Sequence, residues 1–205
     1  MRLTIALSKG KLFAGAEAAF RKGGLPFPED VGRRLVVETG DLRFLFVKDG
    51  DVPVYVEYGA ADCGIAGRDV LLESGSDVYE PLDLGFGRCA LVVAAPEKPP
   101  FDYRQAATVR VASKYPRIAA SFFLERGVQV EVVKLAGSVE LGAVLGLADC
   151  IVDVVETGRT LVENGLVAVE EVAPSSARFV VNRASYHVRR EEIARLVGAL
   201  RRSCS

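Results

Sequence analysis

Short runs of valine, isoleucine, leucine and phenylalanine recur along the chain, and most are followed by a stretch whose apolar residues repeat at helical spacing. Residues 2–7 read as a strand and 10–22 as a helix with Leu12, Ala16, Ala19 and Phe20 on one face. Residues 34–38 and 42–48 read as strands joined through Thr39-Gly40-Asp41, a turn that Gly40 permits, and so predict a hairpin. A helix over 52–58 can begin with Pro53 in its first turn, where a missing N–H costs nothing. A strand over 61–66, a short helix over 69–74 and strands over 78–84 and 89–95 follow, the last closed by Pro96.

Beyond Pro99-Pro100 the alternation restarts as though a second unit had begun. Strands are expected over 109–112, 128–135, 150–155, 167–172 and 178–182, with helices over 116–126, 138–147 and 160–164 between them. A last helix over 191–202 carries Ile193, Leu196, Val197 and Leu200 as its apolar stripe. Buried-looking strands alternating with helices predict an α/β fold with mostly parallel sheets. The restart near Pro99 predicts two lobes with a cleft between them.

Composition narrows this picture. A chain of 205 residues that is 50% hydrophobic and 26% charged has ample apolar matter for a core, which excludes a disordered protein. Twenty-six Lys and Arg against 27 Asp and Glu leave a net charge of -1, which argues against a nucleic-acid-coating protein, so any bound anion must be held locally. Cys63, Cys89, Cys150 and Cys204 lie far apart with no C-x-x-C pair, which suggests neither a zinc site nor a disulfide framework. They read as thiols of a reducing compartment. The N-terminal segment has one basic residue, a short apolar run and then two lysines, too short for a signal-peptide core or a membrane span, so a cytoplasmic location is expected. The single histidine, His187, reads as an ordinary surface residue.

The most informative stretch runs from Ile151 to Leu161. An apolar strand delivers Asp153 and Glu156 near its end, and Thr157-Gly158-Arg159-Thr160 then opens a helix. Gly158 lets backbone approach a ligand closely, N–H groups at a helix start face a phosphate, and the two threonines add hydroxyl donors. The carboxylates suit vicinal sugar hydroxyls or, through Mg²⁺, a diphosphate. A helix start with an acidic first turn explains the same residues without a ligand. Ser8-Lys9-Gly10-Lys11 ends the first strand with point charges suited to phosphates, or with solvated lysines; it lacks the pattern of a nucleotide-hydrolysing loop. Gly64 and Gly67 bracket another strand end, followed by Arg68-Asp69.

Taken together, the segments ALSKGKL (6–12), DVPVYVEYGAADCGIAGRDVLLE (51–73), LDLGFGRCALVVA (82–94), VASKYPRIA (111–119), VKLAGSVELGAVLGLADCIVDVVETGRTLVENGL (133–166) and SARFVVN (176–182) resemble the ATP phosphoribosyltransferase family. The length resembles its short form, which lacks a C-terminal regulatory domain. The resemblance implies a two-lobed fold of the periplasmic-binding-protein type (type II), with the chain crossing between lobes twice. The first lobe is then expected over 1–90 and 177–205 and the second, with the phosphate loop, over 91–176. It implies that N1 of ATP attacks C1 of 5-phosphoribosyl-1-diphosphate (PRPP), releasing diphosphate. PRPP would be held by Asp153, Glu156, Thr157, Gly158, Arg159 and Thr160. Lys9, Arg33 and Lys48 would face the leaving group or the ATP phosphates, and Lys11, Gly67 and Asp69 would serve the ATP site. Arg33 rather than Arg34 is expected to point inward, since neighbours on a strand face opposite ways. Positions 11 and 48 are lysines where the family often has arginine, so charge is kept but the bidentate fork is lost. Mg²⁺ is the implied cofactor, carried by the substrate diphosphate with no protein ligand assigned. The implied assembly is a homodimer of catalytic subunits within a hetero-octamer that includes a regulatory subunit resembling histidyl-tRNA synthetase, with no nucleic acid and no membrane. A non-catalytic small-molecule binding protein of the same two-lobed fold is the alternative.

Overall fold

The computed structural model describes residues 2–204. They divide into two compact units, one made of the residues up to Arg88 together with those from Ser176 onward, the other of Cys89–Ser175. The first unit opens with β1 (Leu3–Ser8), α1 (Phe13–Lys22), β2 (Val36–Thr39), β3 (Leu42–Val47), α2 (Val52–Glu57), β4 (Cys63–Gly67), α3 (Arg68–Ser74) and β5 (Tyr79–Asp83). The second holds β6 (Cys89–Pro96), β7 (Thr108–Ser113), α4 (Pro116–Glu125), β8 (Gln129–Lys134), α5 (Glu140–Val144), β9 (Cys150–Val155), α6 (Arg159–Glu163) and β10 (Leu166–Ser175). The chain returns to the first through β11 (Ala177–Val181), α7 (Arg183–Val188) and α8 (Arg190–Ser203).

Both sheets are mixed, which corrects the expectation of mostly parallel ones. The 6-stranded sheet runs β2-β3-β1-β4-β11-β5 and the 5-stranded sheet β10-β6-β9-β7-β8. Only β3, β1 and β4 in the first, and β8, β7 and β9 in the second, are parallel. A parallel neighbour needs a crossover, usually a helix. β2 reaches β3 through the tight turn at Gly40, whose φ is 58°, and therefore pairs antiparallel. No helix separates β5 from β6, or β10 from β11. The strands where the chain changes units pair antiparallel with their neighbours.

Helices cover both faces of each sheet. In the first unit Ala16, Ala19 and Phe20 of α1 and Ile193, Leu196 and Leu200 of α8 pack over one face, where Phe27 and Phe44 meet edge-on at 5.3 Å between ring centres. α2 and α3 cover the other face with Val52, Val56 and Leu71 against Ala6, Ala66 and Val180. In the second unit Ile118, Ala119, Phe122 and Phe123 of α4 lie on Leu91, Val93, Val109 and Val111. α5 and α6 cover the opposite face, with Val139, Ala143 and Leu161 on Ala94, Ala112 and Ile151.

Boundaries move in places. α1 begins at Phe13 rather than Gly10, because Ser8 Oγ accepts from the Gly10 N–H at 3.0 Å and bends the chain before the helix starts. β2 begins at Val36, which leaves Arg33 and Arg34 in the turn before it rather than on a strand. α5 is confined to Glu140–Val144, and α7 is an element that periodicity does not announce.

Two features of these cores have measurable outcomes. Cys63 and Cys150 are buried, and burial, with Asp62 and Asp149 respectively adding to it, pushes their thiols up, that of Cys150 to about 12. Cys204 is exposed. A thiol reagent such as dithionitrobenzoate is expected to titrate Cys204 in the native protein and to reach Cys63 and Cys150 only on unfolding. Rapid native labelling of either buried thiol would refute this.

In the second unit Glu170 of β10 accepts from the hydroxyl of the fully buried Tyr103 at 2.6 Å, from Arg104 at 2.7 Å and from Arg126 at 2.9 and 3.2 Å. The Tyr103 hydrogen bond, with Arg126 and Arg104 beside it, holds the carboxyl below its ordinary value against the opposing effect of burial. A depressed folded-state value means that this stabilisation is complete above the unfolded glutamate pKa of about 4.3 and is lost as pH falls through the folded value. Glu170→Gln is therefore expected to lose about 1–2 kcal/mol at pH 7. Its deficit in Tm against the wild type should shrink on acidification below pH 4, and a pH-independent deficit would contradict the assignment.

Candidate functional site

In each unit three adjacent parallel strands end side by side, β3-β1-β4 in the first and β8-β7-β9 in the second. Ligands in open α/β sheets bind beyond such carboxyl ends. The candidate residues fall on these two edges.

On the first edge, β1 and β3 run in register up to Ser8 and Val47, so the loop after β1 lies beside the one after β3. Lys9 leaves Ser8, and its Nζ donates to the Gly32 carbonyl at 2.7 Å and the Arg34 carbonyl at 2.9 Å, with the Phe46 ring centre 5.2 Å away. The lysine thus grips the backbone on either side of Arg33. Arg33 is exposed and has no ion pair among the described residues, whereas Arg34 pairs with Asp30 at 3.5 Å. Lys11 and Lys48 are exposed in the two strand-end loops. Asp49, which sequence reasoning passed over, sits close to Gly10: a Cβ there would lie 3.0 Å from both its carboxyl oxygens. Its signal was its place directly after Lys48 at a strand end.

β4 ends in Gly67, which precedes α3 with extended backbone. Asp69 is buried in the first turn of α3 and folds back over this glycine, so that a Cβ on Gly67 would stand 2.3 Å from its Oδ1. Only glycine leaves room for that carboxylate at the strand end. Lys9, Lys11, Arg33, Lys48, Gly67 and Asp69 therefore all belong to the first unit, at or beside the ends of its parallel strands.

The second edge carries the residues that the sequence marks as candidates to hold PRPP. Asp153 is the fourth residue of β9, half-buried, and accepts at 2.8 Å from the Val154 N–H. It shares a face of the sheet with Ile151, the face that α5 and α6 cover. Glu156 and Thr157 are exposed. Gly158 takes the left-handed conformation, φ 77°, at the start of α6, which has no side-chain cap and no acidic residue in its first turn. The first-turn N–H groups of a helix have no intrahelical partner, and a left-handed residue before them turns them toward a common point. Thr157 Oγ1 lies 3.5 Å from the Arg159 N–H, and the Thr160 carbonyl accepts from Asn164 at 2.8 Å. The Arg159 side chain is directed elsewhere, onto Glu163 at 2.7 Å, and is 82% exposed. Only its backbone faces the loop.

The ATP phosphoribosyltransferase family model matches residues 48–202. The ATP phosphoribosyltransferase of Syntrophotalea carbinolica is 47% identical over 209 residues, covering 98% of this chain and 94% of that protein. That of Symbiobacterium thermophilum is 50% identical over 208 residues, covering 97% and 93%. Among solved structures, the ATP phosphoribosyl transferase (HisG:HisZ) complex from Thermotoga maritima superposes with a TM-score of 0.88 at 32% identity, covering 98% of both chains. The BvgS VFT2 domain of Bordetella pertussis gives a TM-score of 0.62 at 15% identity over 98% of this chain and 86% of that one, a likeness of fold alone. The α/β architecture is that of the two-lobed, type II periplasmic-binding-protein-like fold.

Proposed function

The chain belongs to the ATP phosphoribosyltransferase family, and on that premise we propose how its residues serve the reaction. It is an enzyme of histidine biosynthesis, a pentosyltransferase that joins ATP to PRPP to give N1-(5-phosphoribosyl)-ATP and diphosphate. N1 of adenine attacks C1 of the ribose with inversion as the C1–O bond to diphosphate breaks. The nucleophile is a neutral ring nitrogen with a lone pair, so no strong base is required at the outset. The task is to hold two polyanions together and to stabilise the departing diphosphate, by positioning and by placed charge.

In this reading the backbone N–H groups of Gly158, Arg159 and Thr160, with the hydroxyls of Thr157 and Thr160, cradle the 5-phosphate, and Asp153 and Glu156 accept from the ribose hydroxyls. Lys9 fixes the turn that presents Arg33, and Arg33 and Lys48 offset the charge of the leaving group. Lys11, Gly67 and Asp69 shape the nucleotide site. Mg²⁺ fits this donor set as a substrate-borne ion. Magnesium usually keeps several waters and takes one or two carboxylates together with phosphate oxygens. Carried by the substrate, it would neutralise diphosphate charge when bound. A regulatory subunit of the kind that accompanies the Thermotoga maritima enzyme is the expected partner. No helix among the described residues is long and apolar enough to cross a membrane, in keeping with a proposed cytoplasmic location.

The observation that carries the assignment of the site is the left-handed Gly158 at the uncapped start of α6, directly after the strand that delivers Asp153 and Glu156. The purified chain, alone and with its regulatory partner, is to be assayed with ATP, PRPP and Mg²⁺ for the absorbance of phosphoribosyl-ATP. Product is expected, with much less from Lys9→Ala. Wild-type turnover in that variant would remove Lys9 from the site, and no product in either setting would overturn the reading.

A further inference from the structure

No helix or strand lies between Lys22, the last residue of α1, and Val36, the first of β2. Such a connection has no hydrogen-bond ladder of its own, so a side chain it carries is placed only as well as other groups hold its backbone. Arg33, assigned to the departing diphosphate, sits on this connection.

The turn around Arg33 is held at several points. Gly32 is left-handed, φ 49°, and the Arg34 N–H donates to the Val31 carbonyl at 3.1 Å. The Arg34 guanidinium bends back onto the Asp30 carbonyl and pairs with the Asp30 carboxylate at 3.5 Å. The Leu35 carbonyl accepts from the Phe46 N–H of β3 at 2.8 Å. Between these ties Lys9 Nζ donates to the Gly32 carbonyl at 2.7 Å and the Arg34 carbonyl at 2.9 Å, with the ring of the buried Phe46 centred 5.2 Å away. The side chain of Arg33, in the middle of this bracket, is exposed and makes no hydrogen bond or ion pair among the described residues.

An ammonium has three N–H donors, and Lys9 spends two of them on main-chain oxygens. No carboxylate pairs with it among the described residues; its charge rests on carbonyl dipoles and a ring face. To reach a substrate phosphate it would have to release both carbonyls, and with them the turn that carries Arg33.

Resting on the assignment of Arg33 in the preceding section, we propose that Lys9 touches neither substrate and serves the reaction entirely through Arg33, as a positioning residue whose platform is Phe46. This departs from the part that its place at a strand end suggests, a point charge on the ATP phosphates or the leaving group. Without the ammonium the turn relaxes, and the Arg33 guanidinium no longer stands where diphosphate charge builds up.

The test is a double-variant cycle on the full chain with its regulatory partner, read in steady-state kinetics. Both side chains are exposed, so Lys9→Met and Arg33→Ala should fold with a Tm near that of the wild type. Arg33→Ala is expected to lower kcat/KM for PRPP by about 10²-fold, the scale of one lost transition-state donor. Lys9→Met should lower it by about tenfold or more, the scale of a misplaced group, with the same division between kcat and KM. The double variant should be no slower than Arg33→Ala, because Lys9 then has nothing left to place. Phe46→Leu should cost about two- to fivefold, the scale of a ring under an ammonium, and nothing further once Lys9→Met is present. Losses that multiply in the double variant would show that Lys9 meets a substrate itself, and would overturn the proposal while leaving Arg33 in the site. A Lys9→Met variant that raises KM for ATP with kcat unchanged would do the same. Wild-type turnover in Arg33→Ala would overturn the assignment of Arg33 to the leaving group, and this proposal with it.

Discussion

Gly158→Val is expected to lower kcat/KM for PRPP by about 10²-fold, the cost of displacing reacting groups by roughly an ångström, while Tm falls by only a few degrees. The cause is conformational. A Cβ at Gly158 would meet nothing closer than Val155 Cγ1 at 4.0 Å, so the space is there. The backbone is not: φ is 77°, where a β-branched side chain is a genuine outlier at about 1–3 kcal/mol. The relaxed loop turns its N–H groups away from their common point. Asparagine tolerates the left-handed region, so Gly158→Asn is expected to keep a substantial part of the activity that valine loses. Equal losses in the two variants would mean that side-chain bulk near the phosphate, not backbone conformation, decides the matter.

The turn at Gly158 and the helix after it could be read so directly because their signal is local. Gly158 is the residue that a left-handed helix entry requires, and the strand, the glycine and the helix start all lie within the eleven residues from Ile151 to Leu161. The strand over Cys150–Val155 and the stripe of Ile193, Leu196 and Leu200 were legible for the same reason, since each is a run whose period or hydrophobicity is its own. Sheet polarity was not, because it depends on where the chain goes next. A strand followed by a strand and a strand followed by a helix look alike within the strand. α7 escaped for a different reason. None of its residues is buried, so it has no apolar stripe, and it is started by the Asn182 side chain accepting from the Ser185 N–H at 2.9 Å. Arg33 was misplaced onto a strand because its backbone is set by Lys9, a residue 23 and 25 positions from the carbonyls it holds.

The largest loss of stability is expected from Asp62→Ala, and it should leave turnover per folded molecule unchanged. Asp62 stands just before β4, at the opposite edge of the sheet from the candidate site. Its carboxylate accepts from the Thr4 N–H, the Ser185 hydroxyl and the Arg189 guanidinium, each at 2.8 Å. Those three donors belong to β1, to α7 and to the junction of α7 with α8, so one side chain ties the start of the sheet to the C-terminal segment. Asp62 and Arg189 are each 16% exposed, which sets the pair apart from the surface ion pairs whose loss is barely felt. Alanine strands the Thr4 N–H and removes one of the two carboxylates on Arg189, which keeps Glu192 at 3.2 Å and the Arg2 carbonyl at 3.0 Å. The retained partners place the cost at about 3 kcal/mol, the lower end of the range for breaking a buried pair. For a protein of this size that lowers Tm by roughly 6–12 °C. Asp62→Asn, which can still accept through one oxygen, should fall between alanine and wild type. Arg189→Ala and the double variant with Asp62→Ala complete a cycle that should be clearly less than additive, because the two residues share one interaction. A Tm for Asp62→Ala within a degree of the wild type, or strict additivity in the cycle, would show that the C-terminal helices are held by the apolar stripe of α8 alone.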